Sequence, residues 1–323
     1  MQPNLGGDFR EQFAALEKEV GRVIIGQDEI ITGVLTGIIA GGNVLLEGAP
    51  GLGKTRLVKT LAGVLDLSFA RIQFTPDLMP VDITGTVMVN QNAGNLDFVF
   101  QKGPIFHSLV LADEINRATP KTQSAFLEAM QEKTVTVGAT TYSLPQPFFV
   151  LATENPLEME GTYPLPEAQL DRFMFKLKIF LPALHHLSRI MDITVGGLQQ
   201  PEIKKLAAGE QILQMQQTAL AVPVATEVKQ YALKIMEATH PDRSPLQPVK
   251  DYVTCGASPR GAQAMLAGAK ILALARGRYN VSYQDIKTMA PPCLRHRIFL
   301  NFRAGADQVS ADDIIGEILE RVK

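Results

Sequence analysis

A glycine-rich segment that ends in lysine and threonine has the clearest chemical meaning in this chain. Residues 48–55 follow the spacing G-x-x-x-x-G-K-[ST], with Lys54 and Thr55 at the end. Glycines let backbone amides converge on an anion, and the start of a helix adds further unsatisfied amides. A lysine at this spacing reaches the β- and γ-phosphates of a nucleotide, and the threonine hydroxyl can ligate Mg²⁺. The alternative is a glycine-rich turn beside a surface lysine. We expect a site for ATP or ADP with Mg²⁺, formed by Gly48, Ala49, Pro50, Gly51, Leu52, Gly53, Lys54, Thr55 and Arg56.

Two adjacent acids end an apolar run further along the chain. Asp113 and Glu114 follow Leu109–Ala112, and neighbouring side chains of a strand point in different directions. Asp113 is therefore expected to hold Mg²⁺ together with Thr55, while Glu114 polarises the attacking water as a general base. Acids often end strands, so the pair gains its meaning from the glycine-rich segment upstream. A base at this place favours hydrolysis over passive nucleotide binding.

A third apolar run, Phe148–Thr153, leads to Asn155 and Pro156. The amide of Asn155 could orient the attacking water against the γ-phosphate. An asparagine before proline is also a common turn residue, so both interpretations stay open on the residues alone.

The elements that must position these groups alternate along the first 180 residues. Continuous apolar runs are typical of strands in a parallel sheet whose two faces are covered by helices. We predict strands at Asn43–Glu47, Arg71–Phe74, Leu109–Asp113, Phe148–Thr153 and Met174–Phe180, and helices at Phe9–Val20, Asp28–Ile39, Lys54–Leu65 and Pro120–Gln131. Two inserted β-hairpins are also predicted: Thr84–Asn90 with Leu96–Gln101 around the turn Gln91–Asn95, and Val135–Gly138 with Thr141–Leu144 around Ala139–Thr140.

Helical patterns dominate after Leu181. We predict helices at His185–Val195, Gly209–Leu220, Thr226–Thr239, Pro259–Arg278, Ser282–Met289 and Ala311–Arg321, with a loop at His240–Pro248. The sequence thus predicts an α/β domain over residues 1–181 and a smaller all-α lid over 182–323. A length of 323 residues agrees with two domains. His185 and His186 are interpreted as a solvated helix start.

Composition limits the partners and the compartment. A net charge of −2 gives no general attraction to nucleic acid, and no Lys or Arg lies between Thr75 and Gln101 in the first hairpin region. Two cysteines, Cys255 and Cys293, suit a reducing compartment. The chain shows neither an apolar run long enough to cross a membrane nor a secretion signal at its start. We expect a cytoplasmic protein that binds no nucleic acid and does not insert into membranes.

Seven segments, in order along the chain, resemble the MoxR group of AAA+ ATPases, which is related to the magnesium-chelatase ATPase subunits. They read GAPGLGKT (48–55), LADEINRA (111–118), KTQSAFLEAMQE (121–132), ATENP (152–156), LPEAQLDRFMF (165–175), GASPRG (256–261) and LRHRI (294–298). The resemblance covers most of the chain. It implies an AAA+ type α/β domain with a helical lid, assembled with further copies of itself into a ring, usually a hexamer.

The resemblance also implies roles for further residues. Asn155 falls on the sensor at the end of the fourth strand, Arg172 on the arginine finger that reaches a neighbour's γ-phosphate, and Arg260 on the lid sensor that touches the phosphate from above. A guanidinium suits the charge spread over phosphoryl oxygens; the alternative for either arginine is a surface ion pair. Ile25 and Gly26 resemble the stretch that packs on adenine. Arg295 and Arg297 match the lid pattern without an assigned role.

Three functions compete for what ATP hydrolysis drives. The first is chaperone-like remodelling of protein complexes, with metal-cofactor insertion as one form, working with a partner that carries a von Willebrand factor A domain. The second is a nucleotide-gated scaffold with slow hydrolysis. The third, a nucleic-acid motor, is disfavoured because the first hairpin region lacks cations and the second hairpin has only Lys133 at its base. The hairpins instead present Met79, Met88, Val89, Phe98 and Tyr142 for protein contacts.

Overall fold

A strand runs directly into the glycine-rich segment, and a helix begins at its lysine. The computed structural model describes residues 5–92, 95–156, 161–196 and 201–322. The elements up to residue 178 are α1 (Leu5–Val23), α2 (Asp28–Ile39), β1 (Val44–Glu47), α3 (Lys54–Val64), β2 (Phe69–Gln73), α4 (Pro80–Thr84), β3 (Gly85–Asn92), β4 (Asn95–Lys102), β5 (Leu109–Asp113), α5 (Pro120–Glu132), β6 (Thr134–Val137), β7 (Thr140–Ser143), β8 (Phe149–Glu154), α6 (Glu167–Leu170) and β9 (Phe175–Lys178), with a 3₁₀ turn at Ile115–Arg117.

The remaining elements are mostly helices. They are α7 (Leu184–Thr194), α8 (Gly209–Leu220), α9 (Thr226–Glu237), α10 (Gln247–Tyr252), β10 (Val253–Cys255), α11 (Pro259–Ala275), α12 (Tyr283–Leu294), β11 (Phe299–Leu300), α13 (Phe302–Ala306) and α14 (Ala311–Arg321).

Five strands form one parallel sheet in the order β2-β5-β8-β1-β9. Successive residues of its strands enter two different cores. In β5, Val110 and Ala112 join the cluster that holds Phe126 of α5, whereas Leu109 and Leu111 join the larger cluster formed with α1, α2, α3 and the lid helices. Because both faces are covered, the inner strands β1, β5 and β8 are apolar until their polar ends, whereas the edge strands β2 and β9 also carry Arg71, Gln73, Lys176 and Lys178. The α/β fold with a lid is confirmed.

The two inserted hairpins are present, with turns that differ from those predicted. Pairing of β3 and β4 continues to Asn92 and Asn95, so the predicted turn Gln91–Asn95 is too long. The second turn was predicted at Ala139–Thr140, but Thr140 pairs with Val137. The turn therefore lies one residue earlier, where Gly138 adopts φ 61°, a conformation that glycine adopts without steric cost.

The lid differs from the prediction in several places. The short helices α10 and α13 were not predicted, and α10 begins at Gln247, inside the predicted loop His240–Pro248. β10 and β11 pair as a small antiparallel sheet, and strands this short leave no periodic signal. α12 was predicted to end at Met289, yet it continues through Pro291 and Pro292 to Leu294. Burial of Cys293 and Leu294 offsets the hydrogen bonds that the prolines cannot make. The larger apolar cluster also includes lid residues, and the division at residue 181 stays a prediction.

The motif 294–298 ties the lid to the α/β domain. The Arg297 guanidinium donates to Asp171 Oδ1 at 2.7 Å and to the carbonyl oxygens of Phe173 at 2.7 Å and Met174 at 3.2 Å. Arg295 bonds Asp312 Oδ1 at 2.9 Å and the Lys176 carbonyl at 3.2 Å. The segment that carries Arg172 is thus held in place by the lid.

Within residues 5–92, 95–156, 161–196 and 201–322, none of the helices combines the length and the apolar character of a membrane span.

Candidate active site

The glycine-rich segment forms a loop at the carboxyl end of β1. Gly51 and Gly53 have φ of 84° and 80°, a region that side chains rarely enter. Gly53 precedes the first turn of α3, so unpaired amides and the positive end of the helix dipole face the loop. This arrangement binds anionic phosphate groups.

Lys54 and Thr55 begin α3 and face the strand tips. Lys54 is buried, and its Nζ donates to the Gly48 carbonyl at 2.7 Å and to the Glu154 carbonyl at 3.3 Å. The Thr55 hydroxyl lies 3.5 Å from Asp113 Oδ2. A hydroxyl and a carboxylate oxygen at this spacing are the hard oxygen ligands that Mg²⁺ prefers, so the residues present fit the ion.

Asp113 and Glu114 are oriented by two neighbouring strands. Thr153 of β8 donates to Asp113 Oδ1 at 2.7 Å, and its hydroxyl oxygen accepts from the Glu114 amide at 2.8 Å. On β2, Arg71 Nε donates to Asp113 Oδ2 at 2.9 Å, and the Gln73 amide donates to Glu114 Oε2 at 2.9 Å. Each carboxylate therefore has its own donor on β2, and the Thr153 hydroxyl links the Asp113 side chain to the Glu114 backbone.

Glu114 itself has an unusual backbone. Its φ of 57° lies in the left-handed region, which is uncommon for a residue that is not glycine. Its side chain also accepts from Arg117 Nη1 at 3.0 Å. Arg117 therefore contacts the Glu114 carboxylate of its own chain.

Asn155 completes a cavity of about 370 Å³. The cavity is lined by Pro50, Gly51, Gly53, Lys54, Thr55, Arg56, Asp113, Glu114 and Asn155. Asn155 is buried at the end of β8. The structure thus brings together the loop, the metal-ligand candidates, the base candidate and the sensor candidate.

A half-buried charge cluster lies at the ends of β1, β8 and β9. Lys176 Nζ contacts Glu47 Oε2 at 2.5 Å and Glu154 Oε2 at 3.5 Å. Burial raises the pKa of Glu154, although the Lys176 ammonium opposes it. Burial works to lower the pKa of Lys176, but the carboxylates of Glu154 and Glu47 outweigh it and the net pKa is raised. The lysine therefore stays charged and joins the tips of β1, β8 and β9.

Ile25 and Gly26 lie at the same edge of the sheet. The side chain of Gln27, the next residue, donates to the Phe180 carbonyl at 2.7 Å. The residue before Phe180, Ile179, lies against the phosphate loop: its carbonyl oxygen is 3.0 Å from the position that a Cβ on Gly48 would take. Gly26 has φ 72°, and the His186 ring packs on it so closely that a Cβ would come within 2.7 Å of the ring. The solvated helix start therefore describes exposed His185 but not His186.

Arg172 and Arg260 lie together, at the other end of the sheet. Both line a cavity of about 350 Å³ with residues that precede β1 and β9, including Asn43. At ~3.3 Å per residue, β1 separates Asn43 from Gly48 by about 17 Å. The resemblance implied that Arg260 touches the phosphate from above. Within its own chain Arg260 lies away from the phosphate loop, because α11 begins at Pro259 beside Asp171.

The sequence reasoning missed three residues of the site: Arg71, Gln73 and Thr153. Thr153 offered a weak signal, since it is a polar residue at the end of an apolar run. Arg71 and Gln73 alternate on β2, but only the pairing of β2 with β5 places them beside the acids.

The parallel sheet, the phosphate-binding loop and the helical lid define a P-loop nucleotide-binding protein with an AAA-type lid. The family model described as "ATPase family associated with various cellular activities (AAA)" matches residues 43–175, and the model "AAA lid domain" matches residues 248–318. These two matches fall on the sheet and on the lid.

Similar proteins extend the match over nearly the whole chain. "Chaperone MoxR1" of Mycobacterium tuberculosis is 43% identical over 94% of this chain and 80% of its own length. "Protein MoxR" of Methylorubrum extorquens is 28% identical over 91% and 89%, respectively. The crystal structure of a candidate ATPase from Cytophaga hutchinsonii is 42% identical, with a TM-score of 0.91 over 99% of this chain and 96% of that one. The chain belongs to the MoxR family of AAA+ ATPases.

Proposed function

We propose that the chain hydrolyses ATP at the β–γ phosphoanhydride and uses the energy to remodel protein complexes in the manner of a chaperone. One observation carries the catalytic part. Lys54, Thr55, Asp113, Glu114 and Asn155 come from three separate segments and line a single cavity. Folding alone gives no reason for a lysine, two carboxylates and an amide to meet at the start of one helix, whereas ATP hydrolysis requires all of them.

Each residue has a definite task in this proposal. Amides of the loop and Lys54 bind the phosphates. Thr55 and Asp113 would hold Mg²⁺, which would supply positive charge to offset that of the phosphates. Glu114 accepts the proton of the attacking water, and Asn155 orients that water. Gln73 and Arg117 hold the Glu114 carboxylate and set the direction in which it acts.

The active site is completed by a second copy of the chain. Arg172 and Arg260 lie at the opposite end of the sheet from the loop, so they can contact phosphate only across a junction between copies. Head-to-tail contacts of this kind close into rings. The family context supports a ring, and we propose a hexamer.

The first hairpin supports a protein client. Val87, Met88, Val89 and Val99 are all about half exposed (43%, 52%, 56% and 50%), as is Met79 (56%). Tyr142 stacks on Phe100 at 4.3 Å instead, and the side chain of Phe98 lies outside the described residues. Exposed apolar side chains, with Lys102 at the end of β4 as the one cation of the described hairpin, suit contacts with protein more than with nucleic acid. The proposed helper with a von Willebrand factor A domain rests on the family alone.

Two variants test the proposed chemistry. Lys54→Ala should abolish ATP binding, because the phosphates lose their buried cation. Glu114→Gln should retain ATP and lower turnover by about 10²–10⁴-fold, the range of general base catalysis. Calorimetry measures the binding, and phosphate release measures the turnover.

Lys59→Ala is the matched control, since Lys59 is an exposed lysine on the same helix. It should behave as the unmodified protein does. A Glu114→Gln variant that hydrolyses ATP at the normal rate would remove Glu114 from its role. The response of ATP turnover to a client protein then separates a remodeller from a scaffold, since a scaffold should show slow turnover that a client barely alters. The Glu114→Gln variant, which holds ATP without hydrolysing it, is the means to capture that client.

A further inference from the structure

The cavity lined by Arg172 and Arg260 also contains Lys133, a side-chain cation that forms no ion pair with the described residues. Lys133 lines it, together with Arg297 and one acid, Asp171. Asp171 bonds Arg297 at 2.7 Å and lies 3.5 Å from Arg260. Across residues 5–92, 95–156, 161–196 and 201–322, no ion pair involves Lys133 or Arg172. Four cations facing one acid, in a chain of net charge −2, indicate an anionic ligand.

The backbone holds Lys133 firmly at this position. It is the first residue after α5, with φ 55°. Its amide donates to the Ala129 carbonyl at 3.0 Å, and its carbonyl accepts from the Leu144 amide at 2.9 Å. Glycine is the residue that a left-handed helix end favours. The backbone conformation at this position favours glycine, yet the residue is a lysine, so the chain carries a charged side chain here.

We infer that Lys133 is a further catalytic residue, which contacts the triphosphate bound by a neighbouring copy of the chain beside Arg172 and Arg260. This inference rests on the proposed function. The transferred phosphoryl group spreads its charge over three equatorial oxygens. A guanidinium pairs with two oxygens at once, while an ammonium acts as a point charge. Lys133 cannot serve its own chain, because it shares the cavity at the far end of β1.

Lys133→Gln tests the role, since glutamine keeps the length of the side chain and removes the charge. We expect kcat to fall at least about tenfold, less than the about 10³-fold or more attributed to an arginine finger, with ATP binding by each chain unchanged. Lys133→Arg should retain most of the turnover. Lys229→Gln, an exposed lysine on α9, is the matched control and should leave turnover unchanged.

Mixed assemblies show where the cation acts. Lys133→Gln chains have an intact phosphate loop and base, and Glu114→Gln chains have an intact Lys133. If Lys133 acts across a junction, equal mixing joins two intact halves at about a quarter of the sites and restores turnover above that of either variant. If Lys133 acts within its own chain or only stabilises the fold, the mixture gives no more than the average of the two.

The outcomes separate this inference from the function on which it rests. Normal turnover in Lys133→Gln, together with loss in Arg172→Ala, overturns the role of Lys133 and leaves the ATPase intact. Loss in Lys133→Gln without recovery in the mixture also overturns it. If the unmodified protein releases no phosphate from ATP with Mg²⁺, the proposed function itself is wrong.

Discussion

At the scale of single residues, the metal-ligand candidate already has a cation as its partner. Arg71 reaches Asp113 Oδ2 with both Nε at 2.9 Å and Nη2 at 2.8 Å. The same oxygen faces the Thr55 hydroxyl at 3.5 Å. Mg²⁺ bound between Thr55 and Asp113 would therefore compete with the Arg71 guanidinium for one carboxylate oxygen. The arginine holds the acid in place and opposes the ion.

Replacement of Arg71 by alanine should lower the Mg²⁺ concentration that gives half-maximal ATP turnover. Arg71 is 46% exposed, and pairs of this kind contribute about 0.2–1 kcal/mol, which corresponds to a change of at most about fivefold. A titration with Mg²⁺ at saturating ATP measures the shift. Arg243→Ala removes an arginine of a fully surface ion pair and serves as the control. An unchanged or higher Mg²⁺ requirement in Arg71→Ala would show that the arginine does not oppose the ion.

The sequence predicts residues whose chemistry is tied to a local motif, and it misses those that act through the topology. Lys54, Asp113 and Glu114 each follow a strand or begin a helix that the local pattern indicates. Arg71 and Gln73 acquire their meaning only from the pairing of β2 with β5. Strand order depends on contacts between distant segments, so no local pattern records it.

At the scale of elements, the loop before β9 depends on a side chain from the lid. Arg297 is almost completely buried and donates to Asp171 and to three backbone carbonyls, at 171, 173 and 174. The residue that this loop presents is Arg172. The motif 294–298 was recognisable in the sequence, but its role required a contact across more than a hundred residues.

Arg297→Met should destabilise the protein by about 3–5 kcal/mol, the range measured when one partner of a buried ion pair is removed. The Asp171 carboxylate and the carbonyls would lose their donor, since methionine provides packing but no hydrogen bonds. The midpoint of urea unfolding measures the change, with Arg243→Ala as a control expected to shift it little. A midpoint equal to that of the unmodified protein would mean that water replaces the guanidinium at no cost.

The lid shows why some elements cannot be predicted from local sequence patterns. The five parallel strands have continuous apolar runs and the six long lid helices have helical periodicity, and the structure confirms their existence with shifts of a few residues at the ends. β10 and β11 contain three and two residues. They form because residues distant in sequence, such as Val253 and Leu300, pair with each other. α12 continues through Pro291 and Pro292 because the packing of its buried residues outweighs the low helix propensity of proline.

At the scale of the whole molecule, the two halves of the proposed active site face away from each other. The phosphate loop lies at the carboxyl end of β1, and Arg172, Arg260 and Lys133 lie around its amino end. A single chain therefore cannot bring both halves to one nucleotide. Turnover should require contact between copies, and bound nucleotide should strengthen that contact because its phosphates are held from both sides.

Assembly and turnover should consequently depend on each other. We predict a heavier species in sedimentation with Mg²⁺ and a non-hydrolysable ATP analogue than without nucleotide, and turnover per chain that falls on dilution. Arg172→Ala should weaken the shift caused by the analogue while it spares nucleotide binding, and equal mixing with Lys54→Ala chains should restore part of the turnover. Lys59→Ala, exposed and away from the far cavity, should change neither property. A monomer that hydrolyses ATP at an undiminished rate per chain on dilution would show that one chain contains the complete site, since no junction between copies could then supply the arginines.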